Sequence, residues 1–193
     1  MIDRSRFPWA TAALAGAAAL LMLVPAAGPA LGYDRAAIFS GQLWRLWTGH
    51  FLHFGAAHFG WNAAVFTVAG AWVETVAPGR ARWFYGLAPA IVSAVLLGFE
   101  PALALFGGLS GLATGLVVLL ALDRLKAGGR EPRGVWLAVL GLVAAKQILE
   151  WVAGAELFVV FEAGVRPVPL AHLAGALTAV GVFFVTQRRP QKR

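Results

Sequence analysis

Four side chains in this otherwise apolar sequence carry the types and spacing that could do chemistry: His58, Asn62, Ser110 and His172. A serine hydroxyl attacks a carbonyl only when a neighbouring base takes its proton, and His172 is the group expected in reach that titrates near neutrality. The oxyanion that forms needs donors aimed at it. The Ser110 backbone N–H at a helix start, the His58 ring and the Asn62 amide are the candidates, and His58 and Asn62, four residues apart, share one helical face. No carboxylate is placed to orient His172, since Glu74 falls at the far end of the segment bearing His58 and Glu150 near the outer end of the fifth apolar stretch. A Ser–His dyad rather than a triad is therefore expected. Taken singly, each residue also has an ordinary reading: a small packing serine, an amide bonding between helices, an interfacial histidine.

The elements that must position these groups follow from composition. The chain has 193 residues, 60% hydrophobic and only 13% charged, with a mean hydropathy of +0.74, whereas a soluble domain carries about 25% charge. This is the composition of a membrane protein. It excludes a disordered chain and a basic nucleic-acid binder, and the absence of cysteine excludes a disulfide-stapled domain, a thiolate nucleophile and a thiolate metal site. Six apolar stretches approach the roughly 20 residues needed to cross a bilayer: 8–27, 56–77, 83–99, 108–122, 135–154 and 169–186. Residues 1–193 are thus expected to form a single all-α domain of six transmembrane helices. Breakers separate the stretches, among them Pro78-Gly79-Arg80-Ala81-Arg82 and the charged run 123–133. The one long connection, 28–55, carries Trp44, Arg45, Trp47 and His50 and is expected to lie in the interface.

With six spans both termini share a side, and that side would hold Arg4, Arg6, Arg80, Arg82, Arg124, Lys126, Arg130, Arg133, Arg188, Arg189, Lys192 and Arg193. The opposite side would carry only Arg35, Arg45 and Arg166, so both termini are expected in the cytoplasm. Reading residues 1–28 as a cleaved leader is the alternative for span 1, and it leaves the orientation of the rest unchanged.

Span 4 is interrupted by Gly107-Gly108-Leu109-Ser110-Gly111, where paired glycines weaken a helix by roughly 1 kcal/mol each. A helix from Ser110 to Leu122 covers about 20 Å of a core of roughly 30 Å. Ser110 would then sit about 10 Å below the outer boundary. Irregular backbone at that depth, here 101–109, requires cover by protein or a watery cavity. His58 and Asn62 open span 2 and His172 lies in the first turn of span 6, so all four polar groups fall at similar depth. Such residues in a bilayer are expensive and usually functional.

These residues and their order resemble the rhomboid intramembrane serine proteases across all six spans. The pattern is Trp44-Arg45 in the first loop, His53, then His58-x-x-x-Asn62, Gly108-Leu109-Ser110-Gly111, and Ala171-His172-x-x-Gly175. The resemblance implies Ser110 as nucleophile, His172 as general base and later acid, and His58 and Asn62 as oxyanion donors. It gives Glu74 the place of a structural glutamate. One position departs: many rhomboids carry a tyrosine four residues after the serine, stacked on the catalytic histidine, and here it is Thr114. Thr48-Gly49-His50-Phe51-Leu52-His53 and the compact chain resemble the rhombosortase branch, which implies single-span surface-protein substrates ending in a Gly-Gly motif, one span and a basic cluster. Neither a cofactor nor a metal is implied.

Gly111-x-x-x-Gly115 in span 4 and Ala171, Gly175 and Ala179 in span 6 would let those helices approach closely. Lys146 and Glu150, i and i+4 in span 5, are expected to pair inside the bundle or to snorkel outward. Two other functions remain open at this level. One is a catalytically inactive rhomboid-like protein that binds clients, and the other a haem or metal protein using His50, His53, His58 and His172.

Overall fold

The computed structural model describes residues 7–128, 131–153 and 167–187. In chain order the helices are α1 (Trp9–Met22), α2 (Gly28–Leu31), α3 (Arg35–Phe39), α4 (Arg45–Thr48), α5 (Ala56–Val76), α6 (Pro78–Phe99), α7 (Ser110–Ala127), α8 (Arg133–Ala153) and α9 (Pro169–Gln187), with two-residue strands β1 (Tyr33–Asp34) and β2 (Leu105–Phe106). The six long helices occupy the six apolar stretches. Three of them, α6, α8 over Arg133–Val152 and α9, are long and apolar enough to cross a membrane, with mean hydropathies of 1.4, 1.6 and 1.7. Large apolar side chains face outward along the bundle, among them Leu20, Val68, Ile91, Leu142, Val152 and Val185. A soluble protein of this size would not expose so much contiguous apolar surface, so these faces meet lipid.

Several boundaries differ from the expected ones, each for a local reason. Pro78-Gly79-Arg80-Ala81-Arg82 is not a loop but the first turn of α6. Proline at N1 lacks only an N–H that would be orphaned anyway, so the chain turns from α5 at Ala77 alone (φ −145°, ψ 60°). The next helix, α7, does begin at Ser110, but it runs five residues past Leu122 before Gly128 ends it in the left-handed conformation (φ 64°). Those extra residues include buried Asp123, which pairs with Arg80. Arg80 also donates to Thr186 Oγ1 at 3.0 Å and lies over the Phe183 ring. One guanidinium thus ties the ends of α6, α7 and α9.

Glu74 does for α1 what a capping residue would. Its carboxylate accepts from the backbone N–H of Ala10 (2.9 Å) and of Thr11 (2.8 Å) and from Thr11 Oγ1 (2.7 Å). These are first-turn donors with no partner inside the helix. Thr11 Oγ1 also lies 2.7 Å from the Tyr85 hydroxyl, which joins α6 to the same node.

The connection 28–55 is folded rather than a plain interfacial loop. Buried Arg45 donates to the carbonyls of Gly32 (2.6 Å) and Pro29 (2.7 Å) and to Gln42 Oε1 (2.8 Å), closing 28–45 into one knot. Trp44 is exposed and adds a bond to Ala30 O. Trp47 donates to Gly86 O, so α4 packs along α6. β1 pairs antiparallel with β2, Tyr33 opposite Phe106 and Asp34 opposite Leu105. This pairing covers the irregular segment before Ser110 with protein. A core cluster built on Tyr33, Ile38, Val92, Leu96 and Phe106 fills the space beneath it.

Candidate functional site

The site forms where α7 and α9 touch. A Cβ on Gly175 would fall 1.9 Å from the Gly111 carbonyl oxygen, and one on Gly111 would fall 2.7 Å from Ala171 O. One turn further along, a Cβ on Gly115 would meet Phe84 Cζ at 2.4 Å and Gly175 O at 2.6 Å. Only glycine permits this backbone-to-backbone contact. Ser110 and His172 each lie one residue from it, on helices that both start there. Ser110 is half-buried and His172 buried. Ser110 Oγ has no hydrogen-bond partner among the described residues and does not bond the His172 ring in this structure.

The turn into α7 is set by its neighbours. Gly108 has φ +126°, a conformation that a side chain would strain. A Cβ there would lie 2.9 Å from His58 Cε1, 3.0 Å from His58 Nε2 and 3.6 Å from Asn62 Nδ2. The His58 ring and the Asn62 amide therefore flank the backbone two residues before Ser110. Asn62 Nδ2 is buried without an acceptor among the described residues, where most buried donors have one. His53 Nε2 accepts the Leu109 N–H at 3.2 Å. Burial pushes His53 down to about 4, so the ring is neutral at pH 7 with that lone pair free. His50, also held down to about 4 by burial, bonds Pro89 O and Ser93 Oγ. Among the described residues no three His, Asp or Glu side chains converge as metal ligands.

One expectation about His172, that no carboxylate is placed to orient it, is corrected. Thr114, at the position where a stacking tyrosine was looked for, turns its hydroxyl back to Ser110 O at 2.9 Å along its own helix. A carboxylate does reach the histidine: Glu150 Oε2 lies 2.8 Å from His172 Nδ1, both groups being buried. Lys146 pairs with the other oxygen of Glu150, as its i,i+4 spacing suggested, and Gln147 donates to Pro169 O at 3.0 Å. Three residues of α8 thus clasp the first turn of α9. Glu150 and Gln147 are the site residues that sequence reasoning missed. Matching depths would have found the first, because Glu150 lies one turn before the end of span 5 and His172 in the first turn of span 6.

The Rhomboid domain matches residues 40–189. The chain belongs to the rhomboid family. Rhomboids are in general serine proteases that cut membrane proteins within the bilayer, and the match covers every residue of the site just described. No curated protein matches the chain. A serine, a histidine and the buried Asn62 amide lie around one helix start, and groups of these kinds are the parts acyl transfer needs.

Because the rhomboid site hangs on the α7–α9 contact, Gly175→Ala should lower the unfolding midpoint in detergent by roughly 2–10 °C, the consequence of about 1–3 kcal/mol of overpacking. Gly181→Ala on the same helix meets nothing within 4 Å and should leave the midpoint unchanged or raise it. Equal midpoints for the two variants would contradict the close approach.

Proposed function

We propose that this rhomboid is an intramembrane serine endopeptidase in which Ser110 is the nucleophile and His172 the general base. The observation that supports this most is the Gly111–Gly175 contact, which puts the starts of two helices together, one carrying the serine and the other the histidine. His58, Asn62 and the Ser110 N–H act as oxyanion donors, the buried and unpaired Asn62 Nδ2 being the clearest of them. His53 and Gly108 shape the turn, while Gly111, Gly175, Trp44, Arg45 and Glu74 hold the frame. Ser110→Ala and His172→Ala should each abolish cleavage of a membrane substrate with the protein still folded. Asn62→Ala or His58→Ala should slow it by about 10²–10³-fold, the worth of one oxyanion donor. Wild-type turnover by Ser110→Ala would instead identify an inactive client-binding relative whose preparation carries a contaminating protease.

The whole chain, 1–193, forms one domain that crosses a bacterial inner membrane six times with both termini in the cytoplasm. Support comes from the basic-residue asymmetry, although Arg4, Arg6, Arg130, Arg166 and the basic tail lie outside the described residues. Cysteines introduced at exposed Ser40 and exposed Ala127 should be labelled by an impermeant maleimide from opposite sides of the membrane. Labelling from one side would overturn this topology.

The substrates are single-span membrane proteins cut near their outer end. A peptide bond within a transmembrane helix is shielded, so the chain must unwind before Ser110 can reach it, and glycine lowers that cost by roughly 1 kcal/mol per residue. Together with the rhombosortase resemblance, this favours C-terminal tails made of Gly-Gly, one span and a basic cluster. A model tail with Gly-Gly replaced by Leu-Leu should resist cleavage. Equal release of both fragments, mapped by mass spectrometry, would refute the unwinding argument.

A further inference from the structure

Lys146, Glu150 and His172 form a continuous chain that the Ser–His chemistry does not by itself require. Glu150 is buried in the membrane part of the bundle and each of its two oxygens is committed: Oε1 to the Lys146 ammonium, Oε2 to His172 Nδ1 at 2.8 Å. Lys146 Nζ is also 3.4 Å from His172 Nδ1, and the two contacts make opposite demands on the ring. A donor at Nδ1 would place the imidazole proton on Nε2, leaving no lone pair for a serine proton. An ionised carboxylate is acceptor-only, so the shorter contact places the proton on Nδ1 and the lone pair on Nε2. Lys146 keeps Glu150 in that ionised state, because a carboxylate buried alone would take up a proton and become a donor itself.

We propose that Glu150 is the positioning residue of this site, fixing the tautomer and orientation of His172, and that Lys146 serves it by holding it ionised; the proposal rests on Ser110 and His172 being the nucleophile and base. As Ser110 Oγ bonds to the substrate carbonyl carbon, its hydroxyl proton passes to His172 Nε2 and the carbonyl π pair moves onto oxygen. The imidazolium retains its Nδ1–H on Glu150, which stays unprotonated. When the tetrahedral species collapses, the C–N bond breaks and the Nε2 proton goes to the leaving nitrogen. Glu150 thereby orients the ring where Thr114, whose hydroxyl is spent on its own helix, does not. An i,i+4 Lys–Glu pair serving stability alone would have no need of a histidine on the adjacent helix.

The test is the rate of labelling by a fluorophosphonate probe, which reads the reactivity of Ser110 without substrate binding, on the full chain in detergent. Wild type should label and Ser110→Ala should not; failure of either result would overturn the serine-protease reading itself. Glu150→Gln, equal in size but able to donate to Nδ1, should label at least about 100-fold more slowly. Glu150→Asp should recover at least tenfold of that loss, and Lys146→Met should fall between wild type and Glu150→Gln. The far-downfield proton resonance of Nδ1–H should be present in wild type and lost in Glu150→Gln. If Glu150→Gln labels within threefold of wild type while wild type labels normally, the proposal is wrong and a Ser–His pair suffices. If Glu150→Gln does not fold, Lys146→Met decides: a wild-type rate overturns the proposal, and a rate at least fivefold lower with an unchanged unfolding midpoint supports it.

Discussion

The backbone of α7 touches the backbone of α9 at Gly111 and Gly175, and the rest of the structure is arranged around that contact. Lipid gives helices little reason to associate, so a close van der Waals fit has to supply the attraction. Here the fit is tight enough that no side chain can stand between the two helices. Phe84 of α6 closes against Gly115 one turn below, and Arg80 holds the far ends of all three helices. The site at the top of the pair is therefore positioned by packing along its whole length rather than by loops.

What lies above the contact is held by hydrogen bonds instead. The segment before Ser110 lacks helical bonding, and its neighbours make good the loss: β1 pairs with β2, His53 takes the Leu109 N–H, and Gly108 adopts the positive φ that lets His58 and Asn62 approach. Arg45 does the same for the connection 28–55, taking up two carbonyls that would otherwise be orphaned. Backbone buried without partners is costly in a bilayer, and Arg45 and His53 supply partners to these two irregular segments.

Much of this was legible in the sequence because hydrophobic length and polar exceptions are strong signals in a membrane chain. The glycine pair before Ser110 located the start of α7, and the small residues of spans 4 and 6 foretold their contact. The boundaries at the ends of the helices away from the site were harder. Pro78 reads as a breaker until one knows it stands at N1, and Asp123 reads as the end of a span until Arg80 is found beside it. Glu150 was missed for a different reason. Its partner is 22 residues away on another helix, and helical periodicity relates residues only along their own helix.

The α7–α9 contact has one more consequence. Both helices begin at the site and run the same way from it, so their peptide dipoles point in parallel and the positive ends, each worth roughly half an elementary charge, face the same small space. Parallel dipoles this close repel, and the glycine packing must hold them together against that repulsion. Main-chain amides at the two helix starts thus add positive partial charge beside the serine, besides the charged side chains there. Negative charge appearing on an oxygen there is met by a field already in place, in a setting where lipid does little to screen it.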